Sequence, residues 1–172
     1  THLCAVEVDT ETGMVDIRSY VCVDDVGKVV NPMIVEGQVH GGLAQGIAQA
    51  LYEEAIYDSE GNLVTGTLVD YLVPGAPDVP TFVTDRTETP ATSNALGVKG
   101  VGEAGTIAST PAVVNAVVDA LRHLGVNDIR MPCSPERVWR AIHCGDDQTS
   151  AAAVPAADHE TLRQTDSAGG AQ

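Results

Sequence analysis

At 172 residues the chain has room for one domain with a real core or for two small lobes, and a hydrophobic fraction of 44% is ordinary for a globular protein. Aromatics make up only 3%, so Val, Ala, Leu and Ile must build the core. The net charge of −15 speaks against nucleic acid, which is held by Lys and Arg replacing counterions, and equally against an anionic membrane surface.

In chain order, "HLCAVEVD" (2–9) and "MVDIRSYVCVDD" (14–25) are β-branched and partly alternating. Joined by a turn at Gly13, they predict a β-hairpin. Asn31 as N-cap and Pro32 in the first turn open a helix expected to run to about Glu54. "YDSEGN" (57–62) is a turn cluster, "LVTGTLVDYLVP" (63–74) reads as a strand, and "TFVTDRTE" (81–88) as another. Residues 89–108 read as one long loop, and loops of that length inside a compact domain are functional or disordered. Thr110 and Pro111 read as the start of a second helix, "PAVVNAVVDALRHL", ended by Gly125. "NDIRM" (127–131) follows as a short strand, and Ser134 with Pro135 opens a last helix to about Ile142.

The fold class expected is α+β: an N-terminal hairpin, a glycine-rich helix and a mixed sheet packed on helices. The domain is expected over 1–145. From 146 to 172 the composition shifts to Asp, Gln, Ser, Ala and Gly without periodicity, and a disordered tail is expected. The opening on Thr1, at once in strand pattern, reads as the end of something larger. No apolar run is read as membrane-spanning and no signal peptide is seen. Cys4, Cys22, Cys133 and Cys144 show no metal spacing and read as small buried hydrophobes of a reducing, cytoplasmic protein. His40 has no second His or Cys at ligand spacing and reads as a packing or surface residue, so no metal ligands are assigned.

Within "GVKGVGEAGT" (97–106), Gly100, Gly102 and Gly105 spell the dinucleotide fingerprint G-x-G-x-x-G. Its context fails: no strand precedes it, a helix beginning near Thr110 opens five residues late, and Asp119 falls mid-helix, out of reach of a ribose. The other reading is a glycine-lined loop that presents Glu103. In a water-poor site the pKa of such a carboxylate rises, which suits a general base. The bland alternative is an exposed loop glutamate. Lys99, one of only two lysines, lies in the same stretch. On the first helix, Gly37, Gly41, Gly42 and Gly46 each cost roughly 1 kcal/mol relative to alanine. Such a cost implies close packing of another backbone or of a ligand, with Gln38, Gln45 and Gln49 along one side.

Together, "VDDVGKVVNPMIVEGQVHGGLAQGIAQALYEE", "GTLVDYLVP" and "GVKGVGEAGT" resemble the molybdenum hydroxylases, the group of xanthine dehydrogenases, aldehyde oxidases and aerobic carbon monoxide dehydrogenases. The likeness is to the C-terminal part of the molybdopterin-binding large subunit, and it covers about residues 1–143. It implies that Glu103 lies beside the molybdenum as the base that activates a Mo–OH or positions substrate. Lys99, Gly100, Val101 and Gly102 would lie against the pterin. Gln38, Gly41, Gly42 and Gln45 would approach a molybdopterin cytosine dinucleotide. The resemblance also implies [2Fe–2S] and FAD on an iron–sulfur subunit and a flavin subunit, and a chain inactive without the remainder of the large subunit. Its substrate would be small: carbon monoxide, an aldehyde, a purine or an N-heteroaromatic. Two other readings stand beside it: a non-catalytic remnant that binds partner subunits, and an independent nucleotide-binding module.

Overall fold

A computed structural model describes residues 1–144; the tail expected over 146–172 lies outside the described residues. Strands β1 (His2–Val8) and β2 (Val15–Asp25) form the expected hairpin, antiparallel, with a register irregularity between Ala5 and Val6. Its turn is closed by Asp9, whose carboxylate accepts from Glu11 N at 2.9 Å and from the Thr12 hydroxyl at 2.8 Å. Gly13 has φ 75°, and a Cβ there would meet the Pro135 carbonyl oxygen. Glycine therefore serves both the left-handed turn and the close approach of the last helix.

Helix α1 (Pro32–Leu51) starts where the sequence places it, with the Asn31 side chain accepting from Ile34 N at 3.2 Å, and stops three residues short of Glu54. Strand β3 (Phe82–Thr87) pairs parallel with β2, Tyr20 opposite Phe82 and Cys22 opposite Thr84. The sheet order β1-β2-β3 is thus mixed, as expected. Helix α2 (Ala104–Leu121) crosses α1, and α3 (Pro135–His143) begins at its Ser134 cap. Between the helices and the sheet, Tyr20, Leu43, Ile47, Val113, Val117, Leu121 and Val138 form the centre of an aliphatic core.

Four expectations are corrected. Residues 63–74 are turns and irregular chain, not a strand: Leu63 makes only an isolated bridge to Tyr57, and Thr65 and Thr67 use their hydroxyls on Glu54 O at 2.9 Å and on Asp70 at 2.7 Å. Residues 127–131 form a connector rather than a strand, burying Ile129, with Val126 buried just before it. Past it, Cys133 N donates at 2.7 Å to Ala50 O on α1. Helix α2 opens at Ala104, not near Thr110, with Pro111 inside it. The ring of Pro111 faces solvent, and Thr110 beside it ties the helix to α1 by donating to Gly46 O at 3.2 Å. Finally, Ala104–Leu124 is long and apolar enough to cross a membrane by length and composition. Here its Val113, Val117 and Leu121 are core, and its first turns lie on α1.

Candidate functional site

The loop from Glu88 to Glu103 is a held structure. Gly97, at φ 69°, closes a turn in which the Asn94 side chain accepts from Val98 N at 3.2 Å and donates to Val98 O at 3.0 Å. Val98 then bridges to Gly27; Lys28 N donates to Gly97 O at 2.9 Å and Lys99 N to Val26 O at 3.1 Å. A Cβ on Gly27 would stand 2.5 Å from Gly97 O, so only glycine permits this contact.

Asp25 gathers the same strands electrostatically. One of its oxygens accepts from Gly27 N at 2.9 Å and Thr89 N at 3.1 Å, and the other holds the Lys99 ammonium at 3.1 Å. Hydrogen bonds from Thr89 and Gly27, with Lys99 beside them, hold its carboxyl well below the usual carboxylate range. The start of the loop, at Thr89, and the residue before its bare glycines, Lys99, are therefore fixed to one side chain at the end of β2.

Past this anchor the loop is bare. At Gly100 and Gly102 a Cβ would meet nothing within 4 Å. The amides of Gly100, Val101 and Gly102 find no acceptor among the described residues. Val101 turns inward beside Val26, Ile34 and Val35, and Glu103 caps α2 with its side chain exposed and its carbonyl accepting from Thr106 N and Ile107 N at 3.1 Å.

Helix α1 lies directly beneath. Gly105 is so close that a Cβ would stand 2.5 Å from Val39 O, and one on Gly42 would stand 3.0 Å from Gly105 Cα. The Thr106 hydroxyl donates to Gly42 O at 3.0 Å and lies 3.3 Å from the Gln45 side-chain oxygen. Gly42 and Gly46 thus serve the crossing of two backbones. Gly37 and Gly41 do not, for a Cβ there would meet nothing within 4 Å, and with Gln38 and Gln45 they leave an open face of backbone and amide groups. The structure brings Gly42 and Gln45 to the start of α2 and sets Val101 in a separate groove with Ile34 and Val35, and it leaves Gln38, Gly41, Gly100, Gly102 and Glu103 facing outward. Lys99 is engaged with Asp25.

A family profile described as the molybdopterin cofactor-binding domain matches residues 1–80. The carbon monoxide dehydrogenase large chain of Hydrogenophaga pseudoflava is 43% identical over 141 residues, covering 82% of this chain and 18% of that one. The nicotine 6-hydroxylase large subunit of Paenarthrobacter nicotinovorans is 44% identical, covering 81% and 17%. Among solved structures, the Cu,Mo-CO dehydrogenase matches with a TM-score of 0.78 at 38% identity, covering 81% of this chain and 18% of that one. The quinoline 2-oxidoreductase of Pseudomonas putida 86 matches with a TM-score of 0.75 at 47% identity, covering 80% and 17%. The chain belongs to the molybdenum hydroxylase family. It spans less than a fifth of the length of these hydroxylase relatives. The fold is likewise shared with a part of those solved enzymes.

Two features of this hydroxylase chain escaped the sequence. Asp25 lies 74 positions from Lys99, and no spacing rule links them. The helix start at Glu103 was hidden by Pro111, whose signal for a first turn is strong and here misleading. With α2 opening beside Gly105, one of the three objections to the dinucleotide fingerprint falls. The other two stand, since an irregular loop precedes the motif and Asp119 lies inside α2.

Proposed function

We propose that this chain forms the molybdopterin-holding, glutamate-presenting part of a molybdenum-dependent hydroxylase. Three outward-facing features support the reading: consecutive amides without acceptors at Gly100–Gly102, bare backbone at Gly41 on the helix that packs against α2, and Glu103 at the head of α2. A flat polar cofactor with phosphates fits such features. Amide donors ahead of a helix N-terminus suit anionic oxygens, and glycine lets a ring system approach the backbone.

When bound, the molybdenum centre supplies two-electron redox chemistry. The chain's own residues orient and move protons. Gly100, Val101 and Gly102 donate amide hydrogens to the cofactor, and Gln38 and Gln45 offer side-chain amides toward its dinucleotide end, for which cytosine is our assignment. Gly42 sets the distance between α1 and α2, and Lys99 secures the loop through Asp25. Glu103 takes a proton from the reacting group as general base or orients the substrate.

Glu103 is exposed on this chain, so the water-poor site that strengthens such a base is completed by further protein surface. We assign that surface to the remainder of the large subunit, with [2Fe–2S] and FAD on partner subunits carrying electrons away. The substrate is a small molecule: carbon monoxide, an aldehyde, a purine or an N-heteroaromatic. The cysteines, all free, agree with a cytoplasmic enzyme.

Elemental analysis of the native complex, purified without dissociating its partners, tests the reading. About one molybdenum per copy of this chain, with iron and flavin co-purifying, is the expected result. A complex without molybdenum would leave a partner-binding domain that holds no cofactor.

A further inference from the structure

On the face of the sheet away from the glycine-rich loop's anchor, three ligand-type side chains converge. His2 Nε2 lies 3.2 Å from Asp24 Oδ1 and 3.2 Å from Cys22 Sγ, and Cys22 Sγ lies 3.2 Å from Asp24 Oδ2. The register causes this: His2 on β1 stands directly opposite Cys22 on β2, and Asp24 follows two residues on, on the same face. The His2 side chain is 1% exposed and that of Asp24 13%. The other ring nitrogen, Nδ1, is 2.9 Å from the Tyr20 hydroxyl, itself buried. That partner orients the ring and leaves Nε2 free to point at Cys22 and Asp24.

We propose that His2, Cys22 and Asp24 bind a single borderline divalent cation of the zinc class, independently of the molybdenum reading above. One imidazole, one thiolate and one carboxylate make a donor set that zinc accepts, with a fourth position open to water. Tetrahedral coordination at ordinary bond lengths separates such ligand atoms by roughly 3.4–3.6 Å, so each 3.2 Å pair opens by only a few tenths of an ångström. Asp24 also borders a groove of about 360 Å³ whose wall carries Glu36 and Asp85 against one cation, Arg86, a net negative lining. That gives a cation an acidic approach from solvent. Binding replaces the Cys22 thiol proton, which leaves to solvent, so one proton is released per ion bound by this ligand.

The test is titration of the full chain with Zn(II), and with Co(II) as a spectroscopic probe, followed by gel filtration and elemental analysis. The expected result is one zinc retained per chain and a thiolate-to-cobalt charge-transfer band. Both should be lost in Cys22→Ala and in the size-conserving Cys22→Ser, and kept in Cys144→Ser, which removes the exposed cysteine. Metal-free circular dichroism and melting of the Cys22 variants show whether the fold itself is intact. Tyr20→Phe, which removes only the orienting partner of His2, should weaken zinc binding about 10–100-fold. Absence of retained metal in the wild-type chain would overturn the proposal, as would an unchanged band in well-folded Cys22→Ala or its loss in Cys144→Ser. Molybdenum is read in the same digest and bears on the other reading alone.

Discussion

Asp25 shows how one side chain can organise a loop of sixteen residues. Its carboxylate serves two backbone amides and the Lys99 ammonium, tying Thr89 and Lys99 to the end of β2. Because these contacts lower its folded pKa, the native state binds fewer protons there than the unfolded chain does. The contribution to stability is complete above the unfolded value of about 3.9 and is lost as pH falls through the folded one. Protection of the Lys28 and Lys99 amides, relative to their intrinsic exchange rates, should therefore fall progressively as pH drops below about 4. In Asp25→Asn, which keeps an acceptor and loses the charge, the same amides should lack this acid step. An acid step of equal size in the variant would show that another group anchors the loop.

The glycines of α1 divide into two sets, and each makes its own prediction. Gly42 and Gly46 lie against α2, as does Gly105 against α1, whereas Gly37 and Gly41 touch nothing. Gly105→Ala should destabilise the chain by about 1–3 kcal/mol in urea unfolding, since its new methyl meets backbone at Val39 and Leu43 rather than a side chain that can turn away. Gly41→Ala should instead stabilise the isolated chain by up to ~1 kcal/mol, the propensity gain of alanine in an exposed helix position. In the assembled enzyme the same variant should lower the molybdenum content, because its methyl occupies the space assigned to the cofactor. Full molybdenum loading of Gly41→Ala would remove α1 from the cofactor site.

Much of this was legible in the sequence. Asn31–Pro32 and Ser134–Pro135 are local start signals, and the alternation over 2–9 and 14–25 is local too, so those elements lie where they were read. The failures are non-local. Residues 63–74 have strand composition, yet their pairing among the described residues stops at an isolated bridge from Leu63 to Tyr57. Helix α2 continues through Pro111 because contacts with α1 at Gly42, Gly46 and Val39 hold the turns before it. The glutamate loop could be read from its glycines and its resemblance. Its anchor could not, since that depends on how β2 and residues 89–99 meet in space.

At the scale of the molecule, the open features share one character. Leu68 and Val69 are 84% and 90% exposed, and Val30, Met33, Ile34, Leu72 and Val73 are exposed as well. So much uncovered aliphatic surface is of the kind protein–protein interfaces use, and it fits the proposed remainder of the large subunit. Leu68→Ser with Val69→Ser should leave the urea midpoint of the isolated chain nearly unchanged, because these side chains bury little within it. The same pair should weaken co-purification with the rest of the large subunit. Normal assembly of that double variant would place the interface elsewhere.

The proposed function rests its chemistry on Glu103, so the most direct measurement is turnover of Glu103→Gln in the assembled enzyme, with molybdenum content measured on the same sample. Glutamine keeps the size and a hydrogen-bonding oxygen and removes the base. Full molybdenum content with a rate lower by about 10²–10⁴-fold is the expected result. Full molybdenum content with near-normal turnover would contradict the proposed role of Glu103.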